Sequence, residues 1–107
     1  MMGNVREIDI HEAKDLAEKG DLTIVDIRDA DSFKEAHLDH AISVNDSNIE
    51  DFLSKTNKSK PLLCYCYRGI NSQSASHYFK DNGFETVYSM EGGFEAWRSE
   101  YPITDQV

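Results

Sequence analysis

Two short runs, Leu22-Thr23-Ile24-Val25-Asp26-Ile27 and Pro61-Leu62-Leu63-Cys64-Tyr65, are apolar almost without interruption. A strand with one wet face alternates apolar and polar residues, so near-continuous runs of this length read as strands buried in a sheet. Around them the period changes. Ala13, Leu16 and Ala17 before the first run, and Ala75, Tyr78 and Phe79 after the second, fall at helical spacing. Gly20 and Gly83 offer stop signals for those two helices.

The same alternation continues along the chain. Ile8-Asp9-Ile10 is a candidate strand, and Asp9 with Glu12 matches a capping box for the helix that follows. Phe33 and Ala36 suggest a short helix before His37, and Ala41-Ile42-Ser43-Val44 reads as a third buried strand. Ser47 and Glu50 match a second capping box, ahead of Ile49, Phe52 and Leu53 on one helical face. Asn57 to Pro61 forms a polar turn. Glu85-Thr86-Val87-Tyr88-Ser89 is the last expected strand, Gly92-Gly93 a turn, and Phe94, Trp97 and Tyr101 line a final helix that Pro102 helps to stop. Strands alternating with helices predict an α/β fold around a mostly parallel sheet, expected as a single domain over residues 1–107. In such sheets, sites form beyond the carboxyl ends of strands. Cys66 stands at one such end, and Asp26 with Arg28 at another.

Composition narrows the partners. Hydrophobic residues make up 39% of the 107, enough to fold, and no apolar run approaches a membrane span. The opening Met1-Met2-Gly3-Asn4-Val5-Arg6-Glu7 has no apolar core to serve as a secretory signal, which predicts a soluble intracellular protein. A net charge of −9 argues against nucleic acid. It does not forbid a small anion. A unit charge ~20 Å away in water contributes only about 0.2 kcal/mol, whereas a hydrogen bond to a charged group is worth roughly 1.5–3 kcal/mol.

Cys66-Tyr67-Arg68-Gly69-Ile70-Asn71-Ser72 joins the second buried strand to its helix. A thiol there faces backbone N–H groups and the positive end of a helix dipole, which favour the nucleophilic thiolate. Cys64, inside the strand, reads as a small core residue. Three chemistries use such a loop. Phosphate-ester or arsenate chemistry of the C-x5-R type needs arginine six positions after the cysteine, where this chain has Ser72. Disulfide exchange needs a resolving cysteine, and Cys64 at C-x-C spacing is poorly placed. Sulfur transfer needs a lowered cysteine pKa, N–H donors around a persulfide anion and one cation to orient the donor, a part open to Arg68.

The loop resembles the active-site loop of rhodanese sulfurtransferases. Val25-Asp26-Ile27-Arg28 is similar to that family's early strand, and Glu35-Ala36-His37-Leu38-Asp39-His40-Ala41 to its GHI-x-GA segment. Glu91-Gly92-Gly93-Phe94-Glu95-Ala96-Trp97 is similar to its closing Gly-Gly…Ala-Trp segment. The likeness covers nearly the whole chain and comes nearest to the bacterial thiosulfate sulfurtransferases associated with glycerol metabolism. It implies a rhodanese-like fold, a mostly parallel five-stranded sheet with helices on both faces. It also implies a cytoplasmic enzyme taking sulfur from thiosulfate and giving it to cyanide or a dithiol such as thioredoxin; no cofactor is expected. An alternative is a non-enzymatic persulfide relay serving one protein partner.

On this reading Cys66 is the nucleophile and persulfide carrier, and Arg68 binds the donor. Tyr67, Gly69, Ile70, Asn71 and Ser72 act mostly through backbone N–H groups. Gly69 permits a loop conformation that a Cβ would oppose, and Ser72 caps the next helix. Asp26 and Arg28 resemble a structural charged pair, His37 a structural histidine, and Trp97 a core residue. His11, His40 and His77 lack metal-ligand spacing. Two glycines of the family's GHI-x-GA segment are Ala36 and His40 in this chain, so the local turn must tolerate a Cβ at both.

Overall fold

In a computed structural model that describes residues 5–105, the strands are β1 (Arg6–Ile8), β2 (Thr23–Asp26), β3 (Ala36–His37), β4 (Ile42–Ser43), β5 (Leu62–Tyr65), β6 (Val87–Met90) and β7 (Thr104–Asp105). The helices are α1 (Ile10–Lys19), α2 (Ala30–Glu35), α3 (Ile49–Lys55), α4 (Asn71–Asp81) and α5 (Gly93–Arg98). Residues 1–4 of the opening segment lie outside the described residues.

Five strands form one sheet in the order β1-β6-β5-β2-β4, with all four pairings parallel. The two near-continuous apolar runs become its central strands, β2 and β5, in which every residue is buried. Side chains alternate between faces along β5. Leu62 and Cys64 join Val25, Phe52, Phe79 and Phe84 in one core, under α3 and α4. Leu63 and Tyr65 join Ala13, Ile24, Phe94 and Trp97 in the other, under α1 and α5. Helices therefore cover both faces, as expected.

Local chemistry sets the helix ends. The Asp9 carboxylate accepts the Glu12 N–H at 2.9 Å, and Gly20 closes α1 at φ +86°. Asp29 caps α2 in the same way through the Ser32 N–H at 3.0 Å. The Glu12 side chain, however, pairs with Arg6 at 2.8 Å.

Several boundaries differ from the sequence reading. The first strand is Arg6–Ile8 rather than Ile8–Ile10, because Asp9 is spent as a helix cap. The segment Ala41–Val44 supplies only the edge strand β4, with Ile42 44% exposed. The Ser47/Glu50 capping box does not form. Ser47 turns its hydroxyl to Asn45 Oδ1 at 2.6 Å, and Asn48 precedes α3 without a side-chain cap. Glu85–Ser89 is not the last strand, since β7 pairs antiparallel with β3 in a separate two-stranded sheet. Helix α5 ends at Arg98, so Tyr101 packs from the following turn.

The two replaced glycines part company. Ala36 sits at φ −168°, extended backbone that needs no glycine. His40 sits at φ +69°, where a Cβ is disfavoured. Trp97 is core, and its Nε1–H donates to the Pro102 carbonyl at 3.2 Å.

Candidate active site

Cys66 is the first residue beyond β5, and α4 starts five positions later. Its Sγ accepts the Gly69 N–H at 3.1 Å and the Ser72 N–H at 3.3 Å. The second donor lies in the first turn of α4, where N–H groups have no helical partner. The sulfur is recessed, with the residue only 4% exposed.

The loop can aim N–H groups inward because its carbonyls are held outward. The Phe94 N–H donates to the Cys66 carbonyl at 2.8 Å, and the Glu95 N–H to the Tyr67 carbonyl at 2.9 Å. These are the free N–H groups at the start of α5, so the first turn of one helix holds the loop that feeds another. The Gln73 side-chain amide takes the Gly69 carbonyl at 3.2 Å. Such close approach explains two glycines. A Cβ at Gly93 would stand 2.5 Å from the Cys66 carbonyl oxygen, and one at Gly69 would stand 2.8 Å from the Gly92 nitrogen. Both residues also sit at positive φ, +59° and +90°.

Burial alone would push the Cys66 thiol up. Hydrogen bonds from the Ser72 side chain and from the N–H groups of Ser72, Gly69 and Arg68 outweigh it, and the pKa falls below that of an ordinary thiol. Cys64 shows the contrast two residues earlier. Fully buried in the sheet, it is pushed strongly up by desolvation and stays a neutral thiol. Both cysteines are free.

The remaining sequence-derived candidates fall into three places. Tyr67, Arg68, Ile70 and Asn71 form the exposed rim, with Tyr67 44% and Ile70 71% exposed. The Arg68 guanidinium reaches Glu95 at 3.5 Å at the mouth of the loop. Gly69 and Ser72 are buried against the sulfur. Ser72 does not cap α4, as the sequence suggested. It lies inside the helix, with its hydroxyl 2.9 Å from that of Ser89 on β6.

Asp26 and Arg28 stand behind the site on β2 and just after it. They form a buried ion pair at 2.7 Å. Arg28 also donates to the Ala36 carbonyl at 2.6 Å and lies 4.0 Å over the Phe94 ring. The Tyr65 hydroxyl donates to Asp26 at 2.6 Å and accepts the Leu38 N–H at 3.1 Å. This network ties β5, β2, the β3 segment and α5 together directly behind the loop. His37 stacks on Phe33 and bonds its carbonyl at 2.7 Å. Among the described residues no group of three or more His, Cys, Asp or Glu could hold a metal ion, and no helix is long and apolar enough to cross a membrane.

Sequence reasoning missed Phe94 and Glu95 as loop anchors, and Gln73 and Ser89 as neighbours of the site. The glycine pair Gly92-Gly93 was the available signal, but it reads equally as an ordinary turn.

Comparison with known proteins covers nearly the same span. The family profile of the rhodanese-like domain matches residues 9–100. Thiosulfate sulfurtransferase GlpE of Coxiella burnetii is 40% identical over 94% of each chain. The protein of that name from Pseudomonas savastanoi pv. phaseolicola is 41% identical, again over 94% of each. Among solved structures, the BH2092 protein of Bacillus halodurans superposes with a TM-score of 0.83 at 33% identity, over 94% of this chain and 77% of that one.

Proposed function

The chain belongs to the rhodanese-like domain family, and on that footing we propose that it is a single-domain thiosulfate sulfurtransferase with Cys66 as nucleophile. The carrying observation is the pair of main-chain N–H groups directed at Sγ from 3.1 and 3.3 Å. Relatives about 40% identical along almost their full length bear the name thiosulfate sulfurtransferase, which supplies the donor.

The reaction then runs in two displacements. The Cys66 thiolate attacks the outer sulfur of thiosulfate. A new S–S bond forms, the old one breaks, and its electron pair departs with sulfite. Cys66 keeps one extra sulfur as a persulfide anion, in the ring of donors that held the thiolate. Cyanide then attacks the terminal sulfur, leaves as thiocyanate and returns the thiolate. A dithiol such as thioredoxin takes the same sulfur, then closes to a disulfide and expels hydrogen sulfide. No general base is invoked, because the N–H donors that lower the Cys66 thiol pKa favour the nucleophilic thiolate. Arg68, at the rim, orients the donor's sulfonate oxygens, and Asp26 and Arg28 act by fixing the framework behind β5. The setting is the cytoplasm.

Intact mass after thiosulfate tests this. The expected result is one added sulfur atom and catalytic sulfite release with cyanide, both lost in Cys66→Ala. Full sulfite release by that variant would overturn the assignment. Loading without turnover would point to a persulfide relay instead.

A further inference from the structure

A carboxylate stands beside the cation at the mouth of the Cys66 loop. Glu95 Oε1 lies 3.5 Å from Arg68 Nε, with both side chains more than half exposed. The backbone holds it there. The Glu95 N–H donates to the Tyr67 carbonyl at 2.9 Å, so the first turn of α5 carries this carboxylate to the residue next to Arg68. The guanidinium in turn lies 5.8 Å from the centre of the Tyr67 ring. A purely structural role explains the pairing poorly. An ion pair this long and this exposed adds little to stability, and an acid that serves the α5 dipole needs no arginine beside it.

We propose that Glu95 is a specificity-determining residue, which competes with the anionic group of an incoming donor for the Arg68 guanidinium. A guanidinium presents one planar fork of N–H donors, and a carboxylate and a sulfonate are alternative partners for it. A donor that carries an anion must therefore displace Glu95 before Arg68 can hold it. A neutral donor makes no use of Arg68 and meets no such competitor. Glu95 thus narrows the advantage that charge gives to a thiosulfate-like dianion, and leaves weakly charged sulfur donors, such as persulfides of small thiols, able to reach Cys66. Arg28 does not stand in for Arg68. Its guanidinium is inside the fold, held by Asp26 and by the Ala36 carbonyl. The net charge of −9 is spread over the whole chain and screened by salt, so the balance at the mouth is set by this one pair.

This inference rests on Cys66 being the reacting thiol and Arg68 meeting the donor, but its test does not require sulfur transfer. Cys66 is alkylated in the full-length protein with iodoacetate, an anion, and with iodoacetamide, its neutral counterpart, and both rates are followed by peptide mass. Their ratio cancels any change in thiolate fraction and reads the preference for an anion. Glu95→Gln is expected to raise that ratio about two- to fivefold at low salt, with the gain fading at high salt. In an Arg68→Ala background the same substitution should do less, because only through-space repulsion remains to be relieved. Glu50→Gln removes an equal charge from the exposed side of α3 and should leave the ratio in place. In steady state, Glu95→Gln should lower the KM for thiosulfate by a similar factor with kcat unchanged. An unmoved alkylation ratio, or a gain just as large without Arg68, would overturn the proposal. A raised ratio in a protein that releases no sulfite from thiosulfate would instead strike at the sulfurtransferase reading.

Discussion

At the scale of single residues, Cys64 and Cys66 show how position decides chemistry. Two residues apart, one is held as a neutral thiol by desolvation and the other is driven toward its anion by N–H donors. The sequence made this legible, because a cysteine at a strand end before a glycine-bearing loop differs visibly from one inside an apolar run. The Ser72 and Ser89 hydroxyls were not legible, since two serines 17 positions apart carry no sign of meeting. Arg68 holds a role that is open to direct measurement. Its guanidinium is exposed and pairs with Glu95, so its removal should leave the fold and the thiol intact. Arg68→Ala is expected to raise the KM for thiosulfate about tenfold with a smaller change in kcat, the weak end of a charged hydrogen bond. An unchanged KM in steady-state sulfite assays would remove it from donor binding.

At the scale of elements, helices and buried strands were read well because each carries its own period. The failures cluster where an element is held by something distant. Strand β4 sits at the sheet edge and β7 pairs with β3 from almost the end of the described chain, so neither needs a strong pattern. The capping box at Ser47 lost to an Asn45 turn that offered the same hydroxyl a nearer acceptor. The junction of the loop with α5 is the element contact on which the site depends. Gly93→Ala would drive a Cβ into the Cys66 and Tyr67 carbonyls at a positive φ. Denaturant unfolding is expected to show a loss of more than about 2 kcal/mol, with sulfite release falling in parallel. The buried pair behind it gives a second case. Arg28→Ala would leave Asp26 charged and buried, and a loss of about 3–5 kcal/mol is expected in the same measurement.

For the whole molecule, the sheet separates two cores, and groups buried within it set the response to alkali. Burial raises the pKa of Cys64 and, together with the charge of Asp26, that of Tyr65. A raised pKa in the folded state means stability that is complete below the unfolded thiol and phenol values and is lost as pH rises past them. Cys66 works in the opposite direction. Its lowered pKa contributes stability that is complete above the unfolded thiol value and is lost as pH falls through the folded one. Two strongly raised groups outweigh one lowered group, so denaturation midpoints are expected to fall as pH climbs beyond the ordinary thiol range. A flat alkaline profile would show that neither buried group stays neutral on folding. The anchoring of the loop by α5 has a wider consequence. Its dipoles are fixed by parts of the chain that no reactant needs to touch, while Tyr67, Arg68 and Ile70 face the solvent. Descendants of such a protein could drift freely in what they recognise while inheriting an unaltered reactive centre.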